Sequence, residues 1–219
     1  MEKLYQPNGR SFKSSFPATL LENLQKGTLA YTFRGVPCLK NPVDIAIYLR
    51  LIWDLKPGAI VELGSKAGGS ALLFSGIVGM YGFPCHIYSI DLQPPENCKN
   101  PRITFLQGDV HNLDPVVADL LSDRQDAPLL VIEDSAHTLA GCSAALNTFA
   151  KIMRRGDVLV IEDGILDELD LPTDYLGGPN RAISEFFDSN PDVFEVMEQY
   201  CDMFGPNATY NPNGYLRKL

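Results

Sequence analysis

Long apolar runs are missing from this sequence: no stretch reaches the roughly 18 consecutive apolar residues that a membrane-spanning helix needs, so none is expected. The first residues, MEKLYQPNGRSFKSSF, also lack the apolar centre of a secretion leader. Cysteine is sparse and unpatterned. Cys38, Cys85, Cys98, Cys142 and Cys201 form no C-x-x-C pair, which reads as free thiols in a reducing compartment, by default the cytoplasm. Positive charge is scarce as well. Eighteen Lys and Arg against 27 Asp and Glu leave a formal charge of -9, which argues against a protein that holds nucleic acid by neutralising phosphates. A small-molecule partner is expected instead. No internal repeat or low-complexity tract is visible, and 219 residues suit one domain with or without an appendage.

What is present is organised around VELGSKAGGS, Val61 to Ser70. An apolar lead-in, Ala59-Ile60-Val61, precedes it and a helical run from Ala71 to Val78 follows, which is the order strand, glycine turn, helix. Gly64, Gly68 and Gly69 allow a tight turn and close approach of a ligand, and Ser70 is placed to cap the helix. The dinucleotide fingerprint G-x-G-x-x-G fails at Lys66, so hydride-transfer cofactors are disfavoured. Glu62, two residues before the first glycine, stands where the methionine amino group sits in enzymes that use S-adenosylmethionine (SAM). An ordinary strand-turn-helix junction is the plainer alternative.

Along the chain, residues 1–16 show no period and read as an arm, a short helix is expected over Pro17 to Leu24, and Tyr31 to Lys40 reads as a connection. Apolar residues from Val43 to Trp53 share one helical face, opened by Asn41-Pro42 and closed by Lys56-Pro57-Gly58, with Trp53 expected in the core. Four further strands are expected at His86 to Leu92, Ile103 to Asp109, Pro128 to Asp134 and Val158 to Asp163. Helices are expected near 115–122, 140–153 and Arg181 to Phe187. Val193 to Cys201 and Thr209 to Leu216 read as an antiparallel edge pair. Continuous apolar strands alternating with helices predict an α/β protein with a mostly parallel sheet covered on both faces.

In such a sheet, ligands collect beyond the carboxyl ends of the strands. Every expected strand end here is acidic: Glu62, Asp91, Asp109, Asp134 and the pair Glu162-Asp163. Asp91 suits a ribose diol and Asp109 an adenine edge; a helix cap is the alternative for either, more so for Asp109 than for Asp91. Asp134, Glu162 and Asp163 would converge if their strands are neighbours. Three bare carboxylates repel, and a hard divalent cation such as Mg²⁺ removes the conflict. Adjacent residues of a strand face opposite ways, so Glu162 and Asp163 share an ion only where the chain turns, and Gly164 permits that turn. Two solvated acids and a cap remain the alternative. His137, in IEDSAHT, would then be a base beside the cation. His86 and His111 have no such company, and Cys142 reads as helix packing.

Together, Glu62-x-Gly64-x-x-x-Gly68-Gly69-Ser70, Asp91, Asp134-x-x-His137, Glu162-Asp163-Gly164 and the closing Asn211-Pro-Asn-Gly-Tyr-Leu-Arg217 resemble the cephalosporin hydroxylase family of class I SAM-dependent O-methyltransferases. The resemblance runs from about Tyr31 to the C-terminus. It implies a Rossmann-like, seven-stranded, mostly parallel sheet with an antiparallel C-terminal edge over residues 41–219, after an extension at 1–40. It implies SAM contacts from Glu62, Gly64, Ser65, Gly68, Ser70, Asp91 and Asp109, Mg²⁺ ligation by Asp134, Glu162 and Asp163, and His137 as general base. The expected activity is methyl transfer to a hydroxyl of a small natural-product acceptor, by a homo-oligomer. Metal-independent N- or C-methylation and a non-catalytic SAM-binding subunit are the competing expectations. Residues Leu166 to Gly178 match no pattern, which leaves the acceptor open.

Overall fold

The structure, a computed structural model, describes residues 4–113, 117, 126–169, 175 and 177–219. Helix α1 (Ala18–Ala30) runs past Gly27 and is longer than its sequence pattern suggests. It leads into a hairpin of β1 (Thr32–Phe33) and β2 (Val36–Pro37), turned by Arg34 and Gly35 at positive φ. Helix α2 (Pro42–Leu55) starts where Asn41 accepts from the Val43 N–H at 2.7 Å and stops at Lys56, left-handed at φ 48°. Trp53 lies on its outer side, 48 % exposed, with Lys56 over its ring, so the expected core position is not taken.

β3 (Ala59–Leu63), α3 (Gly69–Tyr81), β4 (His86–Asp91) and β5 (Ile103–Gln107) follow. Then come β6 (Leu129–Glu133), α4 (Leu139–Ile152), β7 (Val158–Ile161) and α5 (Gly178–Ser189). The chain closes with β8 (Phe194–Val196), the single turn α6 (Glu198–Cys201) and β9 (Tyr215–Lys218). The helix expected near 115–122 lies outside the described residues except for Val117. The described strands form a seven-stranded sheet in the order β5-β4-β3-β6-β7-β9-β8. Pairing is parallel from β5 to β7 and antiparallel at β9 and β8. Side chains such as Ile60, Val61, Leu130, Val131, Leu159 and Val160 have no exposure, as strands covered on both faces require. Each such burial contributes about 1.5–3 kcal/mol.

Two details differ from the sequence pattern. Only Phe194–Val196 of the expected strand 193–201 is extended, and β9 begins at Tyr215 because residues 209–214 are a hydrogen-bonded loop. β9 is also interior, between β7 and β8. The segment at 7–16 is no loose arm: Arg10 makes paired bonds of 2.9 and 2.7 Å to Asp202, and Asn207 and Asn213 both donate to the Ser11 carbonyl. No helix of the described residues is long and apolar enough to cross a membrane.

The chain places β4 and β5 on one side of β3, then returns to place β6 and β7 on the other. The crevice between the carboxyl ends of β3 and β6 is therefore the topological switch point, where an open α/β sheet binds its ligand.

Candidate active site

At the switch point the backbone is tight. Gly64 turns at φ 103°, and its N–H donates to the Ile90 carbonyl at 2.7 Å, while the Asp134 N–H donates to Leu63 at 2.9 Å. Gly68, not Ser70, occupies the cap position of α3, in a left-handed conformation with no side-chain cap. Ser70 lies in the first turn behind it. Gly69 is needed for packing: a Cβ there would stand 2.0 Å from the Pro37 carbonyl oxygen of β2.

Glu62 is fully buried and accepts from Ser89 Oγ at 2.5 Å, and Ser89 is in turn bonded to Ser65 Oγ at 2.7 Å. Its other oxygen, Oε1, has no partner among the described residues. Burial pushes its pKa up to about 7, with Lys40 pulling the other way. A buried carboxylate with a spare acceptor is suited to a cationic amine. Asp91 Oδ2 accepts from the N–H groups of Ser65 and Lys66 at 2.8 and 2.9 Å, and Oδ1 accepts from Gln93 at 2.9 Å, which leaves Oδ1 one acceptor position. Asp91 thereby holds the glycine turn in shape. Asp109 accepts from the His111 N–H at 2.9 Å and caps a 3-10 turn, the alternative left open by the sequence.

One cavity of about 650 Å³ opens here, and Glu62 and Gly68 are not among the residues that line it. It is lined by Gly64, Ser65, Lys66 and Ser70, by Asp91 and Asp109, and by Asp134, His137 and Asp163. His111 lines it too, which sequence spacing did not suggest.

At the acidic end, His137 Nε2 is 3.4 Å from Asp163 Oδ2 and 3.9 Å from Asp134 Oδ1. One ligand atom from each of these three residues lies within 4.8 Å of the others, a spacing that fits a single cation. His137 and Asp163 both take left-handed backbone, φ 53° and 59°. The turn that separates Glu162 from Asp163 is thus made by Asp163 itself. Gly164 serves packing, since a Cβ there would sit 2.2 Å from Asn180 Oδ1. The Asp163 N–H donates to Asn211 Oδ1 at 3.0 Å, Asn211 donates to Tyr215 Oη at 3.1 Å, and Tyr215 donates to Asp44 at 3.0 Å. Asp44, buried and bonded also by Thr209 and the Tyr210 N–H, is raised to about 6 by desolvation. The Asn211-to-Gly214 loop is the framework that holds Asp163.

Glu162 does not join the open cluster. It is buried, with Oε2 accepting from Lys40 Nζ at 2.6 Å and Oε1 from Tyr48 Oη. Lys40 also reaches Asp134 Oδ2 at 2.5 Å. Sequence reasoning missed Lys40, whose one signal is a lysine set between Cys38-Leu39 and a helix cap. It also missed Glu133, 1 % exposed and bonded by Ser135 Oγ at 2.5 Å. Desolvation depresses the Lys40 pKa, yet Asp134, Glu162 and Glu62 outweigh it and hold the ammonium well above its ordinary value. Cys142 is buried in α4, and its thiol is pushed up by burial, away from nucleophilic use.

A switch-point cavity with an acidic mouth on a seven-stranded sheet of this order defines a class I methyltransferase fold. Known proteins agree. The family described as Rhamnosyl O-methyltransferase/CmcI matches residues 25–219. A rhamnosyl O-methyltransferase of Mycobacterium leprae is 27 % identical over 191 residues, covering 84 % of this chain and 82 % of that protein. A solved structure described as "cmcI-D160 Mg-SAM" is 26 % identical with a TM-score of 0.65, over 100 % of this chain and 92 % of the other. MycE from the mycinamycin biosynthetic pathway, solved with Mg and SAH, shares the fold at 20 % identity and a TM-score of 0.51, over 80 % of this chain and 46 % of that one. The chain belongs to the Rhamnosyl O-methyltransferase/CmcI family. It is a methyltransferase of the SAM-dependent class.

Proposed function

We propose that the protein transfers a methyl group from SAM to a hydroxyl of a small natural-product acceptor, such as a sugar, polyketide or antibiotic, with a divalent ion, Mg²⁺, in attendance. The observation that carries this reading is the single cavity that runs from the Gly64 turn to the Asp134–His137–Asp163 cluster. The names of the relatives support it: rhamnosyl O-methyltransferase for the mycobacterial proteins, and Mg with SAM or SAH in the solved ones.

Within that reading Glu62 meets the amino group of SAM, Gly64, Ser65, Gly68 and Ser70 shape its bed, Asp91 reaches the ribose and Asp109 borders the adenine. The donor set fits Mg²⁺: hard oxygens of Asp134 and Asp163 face the cavity, and Glu162, bonded to Lys40 and Tyr48, would reach the ion only by giving up one of those partners. When bound, the ion supplies Lewis acidity that lowers the pKa of a hydroxyl beside it. His137 stands at the same place to accept the hydroxyl proton, and Asp163 at 3.4 Å stabilises the imidazolium that results. Metal-free transfer has one observation in its favour, because Lys40 already brings a cation to two of the acids. Calorimetric titration of SAM with and without Mg²⁺, followed by turnover, separates the readings. EDTA should abolish turnover, and full activity in EDTA would end the metal proposal.

Two further outcomes test the cofactor side. SAM affinity should rise with pH towards about 7, as Glu62, whose pKa burial has raised to about 7, ionises, and fall again at higher pH as the SAM amine loses its proton. A flat profile would remove Glu62 from the site. Asp91→Ala should weaken SAM by about 1.5–3 kcal/mol, through lost ribose bonds and a loosened turn. Equal affinity would place the ribose elsewhere. We also read the chain as a cytoplasmic homo-oligomer, on its five free cysteines, on the family resemblance and on exposed Leu20 and Leu29 of α1.

A further inference from the structure

Lys40 sits at the base of the acid cluster with 2 % of its side chain exposed. Its position is not adjustable. The Cys38 N–H two residues earlier is bonded to the Tyr31 carbonyl at 3.0 Å, the Gly69 contact of Pro37 fixes β2 against α3, and Asn41 immediately after it caps α2. The ammonium is thus delivered between Asp134 Oδ2 and Glu162 Oε2, at 2.5 and 2.6 Å. A lysine buried there without those partners would not persist. Glu162 has both oxygens bonded, by Lys40 and Tyr48; burial and Asp134 push its pKa well above the ordinary carboxylate range, and Lys40 is the cation that pulls it back.

The division of Asp134 decides what this arrangement does. Its Oδ2 is tied to Lys40 on the buried side, which leaves Oδ1 on the side of His137, with Asp163 completing the open cluster. We propose that Lys40 is a fixed internal cation that assembles and aims the acid cluster before a metal ion arrives, leaving the charge of one divalent ion to be supplied from outside. With Asp134, Glu162 and Asp163 ionised against the Lys40 ammonium, two negative charges remain for a divalent cation to meet. Such a site is preformed, so binding the ion needs little rearrangement of the fold. Lys40 is a positioning residue here and touches no reacting atom. The inference rests on the metal reading above only for the identity of the last partner.

Lys40→Met removes the charge and keeps an unbranched apolar stem of similar length. In EDTA it should lower Tm by about 10 °C, as expected when one partner of a buried ion pair is deleted in a domain of this size. Adding Mg²⁺ should restore more than half of that loss, because the ion then replaces the missing cation, and should raise the Tm of the variant by more than that of the wild type at the same concentration. A purely structural lysine would give a loss that Mg²⁺ does not relieve. Lys40→Met/Glu162→Gln removes both charges and should recover at least half of the loss in EDTA, a coupling that additive effects cannot produce. An unchanged Tm for Lys40→Met, or a loss relieved neither by Mg²⁺ nor by the second substitution, overturns the proposal. Should Lys40→Met not fold in EDTA, the double variant decides: folding supports the internal cation and failure overturns it. If calorimetry finds no Mg²⁺ binding to the wild type while the double variant still recovers stability, the metal reading falls and the internal cation stands.

Discussion

Exchanging His137 for asparagine is expected to slow methyl transfer by about 10²- to 10⁴-fold, the usual contribution of a positioned general base. SAM affinity should stay within about threefold of the wild type, since His137 is not among the residues assigned to SAM. Asparagine is preferred to alanine for a local reason. His137 is held at φ 53°, a conformation that asparagine tolerates and that adds strain to alanine. The lost rate should return in part at higher pH, as more of the acceptor hydroxyl ionises without help. Single-turnover rates between pH 7 and 9.5 measure this. A variant that keeps wild-type turnover would show that His137 is a bystander. A variant that loses Mg²⁺ binding along with turnover would make its imidazole a ligand rather than a base, a distinction that its 3.4 Å approach to Asp163 makes worth measuring.

Gly64→Ala is expected to be the most damaging single methyl in the cavity. Sequence reasoning reserves the space beside Gly64 for the cofactor. In the structure, the added Cβ would instead stand 2.1 Å from the Asp134 carbonyl oxygen and 2.7 Å from its carbon, both backbone atoms that cannot swing aside. The φ of 103° is also strained for any residue with a side chain. Relief requires the β3 and β6 ends to part, which would move Asp134 and the carboxylate it carries. A stability loss of about 2–5 kcal/mol is expected, with SAM binding and methyl transfer both falling at least about tenfold. Urea unfolding together with SAM titration reads both. A variant of normal stability that merely fails to bind SAM would restore the simpler view that the glycine makes room for the ligand alone.

The strand-turn-helix at Val61 to Ser70 was legible because its signals are local: an apolar run, glycines, then a helical period. The same holds for α2, whose cap at Asn41-Pro42 and stop at Lys56 are chemical properties of those residues. Trp53 was misplaced because a helical face predicts orientation but not what lies over it, and here Tyr81 and Lys56 stand against the ring of a residue that stays 48 % exposed. The order of the last two strands was illegible too, since nothing local says that β9 is inserted beside β7.

By itself the sequence determined a parallel α/β sheet with acids at its carboxyl ends, because strand period and βα alternation are written in neighbouring residues. It also determined that Asp134, His137 and Asp163 belong to one end of that sheet. Only the tertiary structure decided which acids face the cavity. Glu162 turns away to Lys40 and Tyr48, partners 122 and 114 positions distant in the chain, and Asp163 is aimed by Asn211 from a loop 48 positions on. A carboxylate in a low-dielectric interior goes where donors and countercharge are, and those arrive from remote segments that no local pattern connects.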